Sequence, residues 1–231
     1  MANLCVITAR GGSKRIPRKN IKDFLGKPII AYSIEAALKS GLFDEVMVST
    51  DDGEIASIAR QYGASVPFMR SVKTSDDYAT TNDVLVEVIS EYKNNNKFFS
   101  VICYLYPTAP FVTPEKLKQA FQILKTSQCD FVLPVVKFSY PPQRSYLVKN
   151  GQLVRKNPEF SRARSQDLEP EYHDAGQFGI FYTEPFLASL KEGKELNRAP
   201  LLLKESEVQD IDTIEDWKIA EIKYKLVKDS L

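Results

Sequence analysis

"NLCVITARGGSKRIPRKN", residues 3–20, carries an apolar run straight into a loop with two adjacent glycines and five basic side chains, Arg10, Lys14, Arg15, Arg18 and Lys19. The run reads as a buried strand. The segment beyond the loop, "PIIAYSIEAALKSG" (28–41), has helical spacing, with Pro28 at its start and Gly41 at its end. Strand, loop, helix is the opening of a βα unit, and the order recurs. "EVMVST" (45–50) resembles a strand, "DDGEIASIARQYG" (51–63) a helix ending at Gly63, and "TTNDVLVEVISEYKNNN" (80–96) a further helix. "FFSVICYLY" (98–106), "TPEKLKQAFQILKTS" (113–127) and "DFVLPVV" (130–136) continue the alternation. This pattern predicts an α/β fold with a largely parallel sheet, whose ligand site lies at the carboxyl ends of the strands. The basic loop sits at such an end.

From Phe138 to Tyr172 the pattern breaks into short polar pieces containing proline, with "KNGQ" (149–152) as a hairpin turn. We read 138–172 as an inserted subdomain or arm within one domain spanning 1–231. The sheet resumes with "GQFGIFY" (176–182), and "TIEDWKIAEIKYKLVKD" (213–229) closes the chain as an amphipathic helix.

Composition limits the partners. The 231 residues hold 31 Lys plus Arg against 30 Asp plus Glu, so the loop's charge is a local concentration and argues against a nucleic-acid partner. Cys5, Cys103 and Cys129 are odd in number and widely spaced, without a CxxC pair, which predicts a reducing, cytoplasmic setting and no zinc site. No apolar stretch reaches membrane-span length, and the expected N-terminus has no signal-peptide core, so no membrane is expected.

A glycine-rich loop after a strand is a common phosphate cradle, because backbone N–H groups approach anions where no Cβ intervenes. "GGSK" lacks the GK[ST] order of a Walker A loop, and no GxGxxG supports a dinucleotide fingerprint. What remains suits a ligand with several phosphates; the alternative is a solvated basic loop. The other chemical signal is "VQDID" (208–212). In extended backbone, Asp210 and Asp212 present paired carboxylates to one side, fit for a hard cation such as Mg²⁺. Asp212 has a structural alternative, as cap of the last helix with Glu215 completing a capping box. His173, the only histidine, reads as a hydrogen-bonded structural residue.

"ARGGSKRIPRKNIK" followed by "GKPIIAYSIEAA" resembles the start of the cytidylyltransferases that activate sialic-acid-type sugars, making CMP-sugars from CTP. "VSTDD", "ATTNDV", "YPTAPF", "RSQDLEPEYHDAGQF" and "VQDIDTIEDW" extend the resemblance over nearly the whole chain, in that family's order. The fourth of these blocks is most similar to the branch acting on pseudaminic acid. The resemblance implies a three-layer, Rossmann-like nucleotidyltransferase sheet, with 138–172 as a dimerisation arm that shares Tyr140, Tyr146 and Phe160 across a homodimer. It implies Mg²⁺ as cofactor, CTP and a nonulosonic acid as substrates, and Arg10, Lys19, Asp210 and Asp212 as the catalytic set.

By the same resemblance, Ala9, Arg10, Gly11, Lys19 and Asn20 line the nucleotide site, and Arg70, Ala79, Thr80 and Thr81 contact ribose and cytosine. Thr80 also reads as the N-cap of the helix that follows it. Tyr106, Thr108, Arg164, Gln166 and Gln177 would surround the sugar, although Arg164 and Gln166 also fit an interface arm and "GQFGIFY" a plain core strand. Sialate-type enzymes carry "QPTSPLR" where this chain has "YPTAPFV", with Tyr106 for glutamine and Val112 for arginine. Related CMP-N-acetylneuraminate, CMP-legionaminate or CMP-Kdo synthetases, and a nucleotide-binding regulator without turnover, stay open at this point.

Overall fold

The computed structural model describes residues 2–228. Strand β1 (Asn3–Thr8) leads through a two-residue ribbon, β2 (Asp23–Phe24) and β3 (Lys27–Pro28), into helix α1 (Ile29–Ser40). There follow β4 (Glu45–Ser49), α2 (Gly53–Gln61), α3 (Thr81–Asn94), β5 (Val101–Leu105), α4 (Pro114–Thr126) and β6 (Phe131–Lys137). The arm carries β7 (Tyr146–Lys149) and β8 (Gln152–Arg155). After it come β9 (Tyr172–Asp174), β10 (Phe178–Tyr182), α5 (Thr183–Glu192), β11 (Arg198–Leu203) and α6 (Ile214–Lys228).

The central sheet runs β11-β6-β10-β5-β1-β4, with β9 added against β6. Strands β4, β1 and β5 are mutually parallel, as are β6 and β11, whereas β10 is antiparallel to both of its neighbours. That reversal follows from the arm. The chain leaves β6, returns antiparallel to it as β9, passes an irregularity at Gly176 (φ 63°) and continues in the same direction as β10. Alternation along β1 separates the two faces: Cys5 and Ile7 pack with α1, α2 and α4, while Leu4 and Val6 pack with α3 and α5. The result is the expected three-layer, mostly parallel architecture. Helix α6 closes one end through Trp217, whose ring meets Phe24 edge to face at 5.5 Å.

Strand β11 corresponds to no sequence expectation. It contains Pro200, and it tolerates that residue because it pairs on one side only, with β6. The β7–β8 hairpin turns at Asn150 (φ 51°) and Gly151 (φ 78°), the backbone that the "KNGQ" signal requires. One expectation is corrected at α6. Its capping box is Thr213 with Asp216: Thr213 Oγ1 accepts from Asp216 N at 3.2 Å and the Asp216 carboxylate accepts from Thr213 N at 2.7 Å. Asp212 is not the cap, because Arg15 at 2.9 Å and Lys19 at 3.5 Å engage its carboxylate. Among the described residues no helix is long and apolar enough to cross a membrane.

Candidate active site

At the carboxyl end of β1, Ala9 is buried and its N–H donates to Ser49 O on β4 at 2.9 Å, which fixes where the basic loop leaves the sheet. Gly11 N donates to Asp51 Oδ1 at 2.8 Å. A Cβ at Gly11 would lie 2.9 Å from Asp52 Oδ2, so this glycine clears a neighbouring carboxylate rather than a ligand. Asp52 holds the loop's far end as well. It caps α2, accepting from Glu54 N and Ile55 N at 3.0 Å each, and it receives Arg18 through two bonds of 2.5 and 3.0 Å. These contacts, Arg18 foremost and the helix amides after it, lower the Asp52 carboxyl from 3.8 to about 2 against the opposing effect of burial. Arg18 itself has left-handed backbone (φ 55°), a conformation uncommon for a residue with a Cβ, and this clamp keeps it there. Lys19 and Asn20 follow in a single 3₁₀ turn whose position the clamp therefore sets.

A cavity of about 390 Å³ opens between Arg10, Lys14, Arg15, Lys19 and Asn20 on the loop and the Tyr106–Thr108 turn after β5. Its cations are not solvated at random. Arg10 donates to Asp76 O at 2.6 Å and pairs with Asp77 at 3.0 Å, and Lys14 joins the same carboxylate. Lys19 Nζ donates to Ile211 O at 2.7 Å. Asn20 is buried and its amide donates to Arg10 O at 2.8 Å. Each cation thus rests on an oxygen whose place a phosphate oxygen could take.

Arg15 and Lys19 tie the "VQDID" turn to this cavity through Asp212. Asp210 has no ion pair among the described residues. Partial burial first, and then the charges of Asp212 and Asp216, raise its carboxyl above the ordinary range, with Lys19 pulling the other way. Asp210 is thus crowded by like charge, a setting that added positive charge would relieve. No cluster of three or more ligating side chains exists among the described residues, yet Mg²⁺ takes only one or two carboxylates when phosphate oxygens and waters complete its shell. Asp210 and Asp212 fit that limited demand.

The other predicted residues are dispersed. Arg70 is buried, donates to Ser49 Oγ at 3.0 Å and Ser49 O at 2.7 Å, and has its pKa pushed down to about 10 by burial. Ala79 N donates to Asp76 Oδ1, shaping the turn that holds Arg10. Thr80 caps α3 in a capping box with Asp83, as its sequence position predicts. Thr81 Oγ1 lies 3.3 Å from the Tyr106 hydroxyl, which joins the start of α3 to the turn after β5. Thr108 lines the main cavity with Tyr106. Gln177 is buried, its amide donates to Glu207 O at 2.8 Å, and it lines neither this cavity nor the next one. Arg164 pairs with Asp167 on the arm, and Gln166 is exposed beside it. His173 Nδ1 lies 2.8 Å from Asp174 O and its ring sits 4.9 Å from that of Phe138, a structural environment.

Sequence reasoning assigned no role to Asp52 or Asp77. An Asp directly before "GEIA" is a helix-cap signal that could have marked Asp52; Asp77 carries no local signal. A second cavity of about 270 Å³ was also unforeseen. It lies against α3 and is lined by Thr81, Asn82, Tyr104, Tyr106, Asp174 and Arg198 among others, sharing Tyr106 with the first.

A profile described as cytidylyltransferase matches residues 4–211. Over its full length the chain is 45% identical to a pseudaminic acid cytidylyltransferase of Campylobacter jejuni subsp. jejuni serotype O:2, covering 99% of that protein. It is 35% identical to a CMP-N,N'-diacetyllegionaminic acid synthase of Legionella pneumophila subsp. pneumophila, with all of both chains covered. Among solved structures, a CMP:2-keto-3-deoxy-manno-octonic acid synthetase complexed with CTP superposes with a TM-score of 0.71 at 19% identity, covering 99% of this chain and all of that one; at that identity the likeness speaks to the fold.

Proposed function

The chain belongs to the cytidylyltransferase family, and from that premise we propose that it transfers the cytidylyl group of CTP to pseudaminic acid, giving CMP-pseudaminic acid and pyrophosphate. The observation that carries the reading is one junction. Lys19 of the loop after the first strand meets Ile211 and Asp212 of the acidic turn, 192 residues later in the chain, beside a cavity lined by Arg10, Lys14 and Arg15.

In the reaction the anomeric 2-hydroxyl oxygen of the acceptor forms a bond to the α-phosphorus. The bond from that phosphorus to the bridging oxygen breaks, pyrophosphate leaves with the electron pair, and the hydroxyl loses its proton. Charge grows on the phosphate oxygens, and Arg10 and Lys19, already fixed by carbonyl and carboxylate partners, exchange those partners for it. Asn20 orients the loop by holding the Arg10 carbonyl. Asp210 and Asp212 would hold Mg²⁺, which when bound supplies positive charge to the triphosphate and lowers the proton affinity of an oxygen it contacts. Neither arginine nor lysine acts as a nucleophile.

We also propose that the arm mediates a homodimer. Val148 and Leu153 on the hairpin are 74% and 71% exposed, Tyr140 is 88% exposed, and a two-stranded ribbon has little stability of its own. Three free, buried cysteines accord with a reducing, cytoplasmic setting. Light scattering at micromolar concentration should give a dimer mass; a monomer would remove the arm from this role. Pyrophosphate release with CTP and a panel of pseudaminic, N-acetylneuraminic and legionaminic acids tests the activity. Pseudaminic acid should show the highest kcat/KM by a wide margin. A preference for another acid would overturn the acceptor, and no release with any would overturn the catalysis.

A further inference from the structure

The acidic turn belongs to no strand and no α-helix. Between the end of β11 at Leu203 and the start of α6 at Ile214 the chain makes one 3₁₀ turn, Glu205–Glu207, and then runs as irregular backbone through Val208–Asp212. Carbonyls in such a segment have no ladder to pair with and must find donors elsewhere. Here the donors are side chains. Lys223 of α6 donates to Val208 O at 2.8 Å and to Glu205 O at 3.2 Å, Gln177 donates to Glu207 O at 2.8 Å, and Lys19 donates to Ile211 O at 2.7 Å. Val208 and Ile211 are buried, so the chain on either side of Asp210 is anchored by packing as well as by these bonds.

Two of these donors do more than satisfy the turn. Lys223 also lies 3.5 Å from a Glu205 carboxylate oxygen, and its side chain is only 23% exposed, so the ammonium faces the 3₁₀ turn and the residue after it instead of open solvent. Gln177 joins the acidic turn to the opposite wall of the main cavity. Its backbone carbonyl accepts from Tyr106 N at 2.9 Å, at the start of the turn that lines the cavity, while its side chain reaches Glu207 O. Gln177 is buried, and its Oε1 has no hydrogen-bond partner among the described residues. A buried orphan oxygen is unfavourable, so an apolar side chain of the same size would serve the core better. The amide is explained by the bond that its nitrogen makes. Lys116 of α4 repeats the bridge, donating to Phe111 O at 3.0 Å and lying 3.6 Å from Glu207 Oε1.

We infer that Lys223 and Gln177 are positioning residues: they hold the acidic turn at one place against the Lys19 loop, and thereby set how strongly Asp210 and Asp212 take up the cation that accompanies the triphosphate. The inference rests on the proposed function, from which it takes the metal role of the two aspartates. It gives α6 a part in that role although no residue of the helix lines the main cavity. Lys223 acts through the backbone of the turn, and Gln177 acts through the same backbone from the sheet.

The test separates metal uptake from nucleotide binding. CTP affinity is measured by calorimetry in EDTA and in saturating Mg²⁺ for wild type, Lys223→Met, Lys223→Arg, Gln177→Met and Asp210→Asn, and turnover is titrated with Mg²⁺. Wild type should bind CTP more tightly with the metal, and Asp210→Asn should lose that gain. In Lys223→Met the affinity in EDTA should stay within about twofold, because the loop's cations are untouched. Its gain from Mg²⁺ should fall about 10-fold, the lower end for a hydrogen bond to a charged group, and the Mg²⁺ concentration for half-maximal turnover should rise by the same factor. Lys223→Arg, which keeps a charged donor, should recover most of the gain. Gln177→Met should lose part of the gain with a melting temperature little changed, since it removes the orphan oxygen along with the donor; it decides the matter if Lys223→Met does not fold. An undiminished gain in both variants beside a deficient Asp210→Asn would overturn the positioning role and leave the proposed function standing. Equal losses in EDTA and in Mg²⁺ would overturn it too, as general distortion of the site. If Asp210→Asn keeps the full gain, or wild type shows none, the metal role of the aspartates fails and the inference with it. If no acceptor is turned over, the calorimetry decides alone, since it needs only CTP and Mg²⁺.

Discussion

Asp52 connects the stability of the fold to the placement of the basic loop after β1, for which phosphate binding is proposed, and Asp52→Asn separates its two tasks. An asparagine oxygen still caps α2, since Asn and Asp serve nearly equally as N-caps. What is lost is the charge facing Arg18. The Asp52 carboxyl falls from 3.8 to about 2 in the fold, a shift worth about 2.5 kcal/mol if fully expressed. Because the Arg18 side chain is 40% exposed, solvent screening reduces the expected loss to about 1–2 kcal/mol. The sign with pH follows from a depressed acid. The contribution is complete above the unfolded value, about half of it remains near pH 3, and it is lost as pH falls through the folded value. Urea unfolding of wild type and Asp52→Asn at pH 7 and pH 3 should therefore show a difference that halves at the lower pH. Asp52→Ala should cost about 1 kcal/mol more than Asp52→Asn, for the missing cap. The KM for CTP should rise several-fold in Asp52→Asn, because Lys19 and Asn20 follow Arg18 directly. Asp52→Asn with wild-type stability at both pH values and unchanged KM would refute the clamp.

Asp210→Asn should abolish most turnover while leaving the melting temperature equal or slightly higher, since it removes a carboxylate crowded by Asp212 and Asp216; near-normal rates at limiting Mg²⁺ would free Asp210 from the metal role. Lys19→Ala and Arg10→Ala should each lower the rate by about 100- to 1,000-fold, and a change of only a few-fold in steady-state assays would return the loop to solvated charge. Gly179→Ala should destabilise by about 1–3 kcal/mol through overpacking against Tyr104 and Phe131, measured by thermal unfolding. An unchanged melting temperature would show that the rings give way freely.

The βα order was legible because each element carries its own punctuation. Pro28 and Gly41 bound α1, Thr80 caps α3, Thr113 caps α4, and the Asn150–Gly151 pair turns the hairpin. Strand β11 was hidden because Pro200 argues against a strand, and only its edge position, a tertiary fact, makes that residue acceptable. The loop's cations and the acidic turn stood out as local concentrations of charge. Their partners did not, since Asp77 and Asp52 are single acids among many until folding sets them against Arg10 and Arg18. The second cavity was invisible for a related reason. Arg198, Asp174 and Tyr104 lie on three strands, and nothing in their spacing announces a shared space. The alternative reading of Asp212 as a cap is off by one position, since Thr213 takes that place while Arg15 and Lys19 engage the Asp212 carboxylate.

The bond from Lys19 to the Ile211 carbonyl also joins two partners made at very different times. Translation at about 5–20 residues per second separates the making of these two partners by about 10–40 seconds. During that interval β1, β4 and β5 are available to pair and, with α1, α2 and α3, to form half of the sheet around the basic loop. The growing polypeptide then displays the loop's cations without the acidic turn, and so without Asp210 and Asp212. Under the proposed function, a chain still short of residue 210 would carry the loop's cations without the carboxylates, so turnover would wait for the acidic turn.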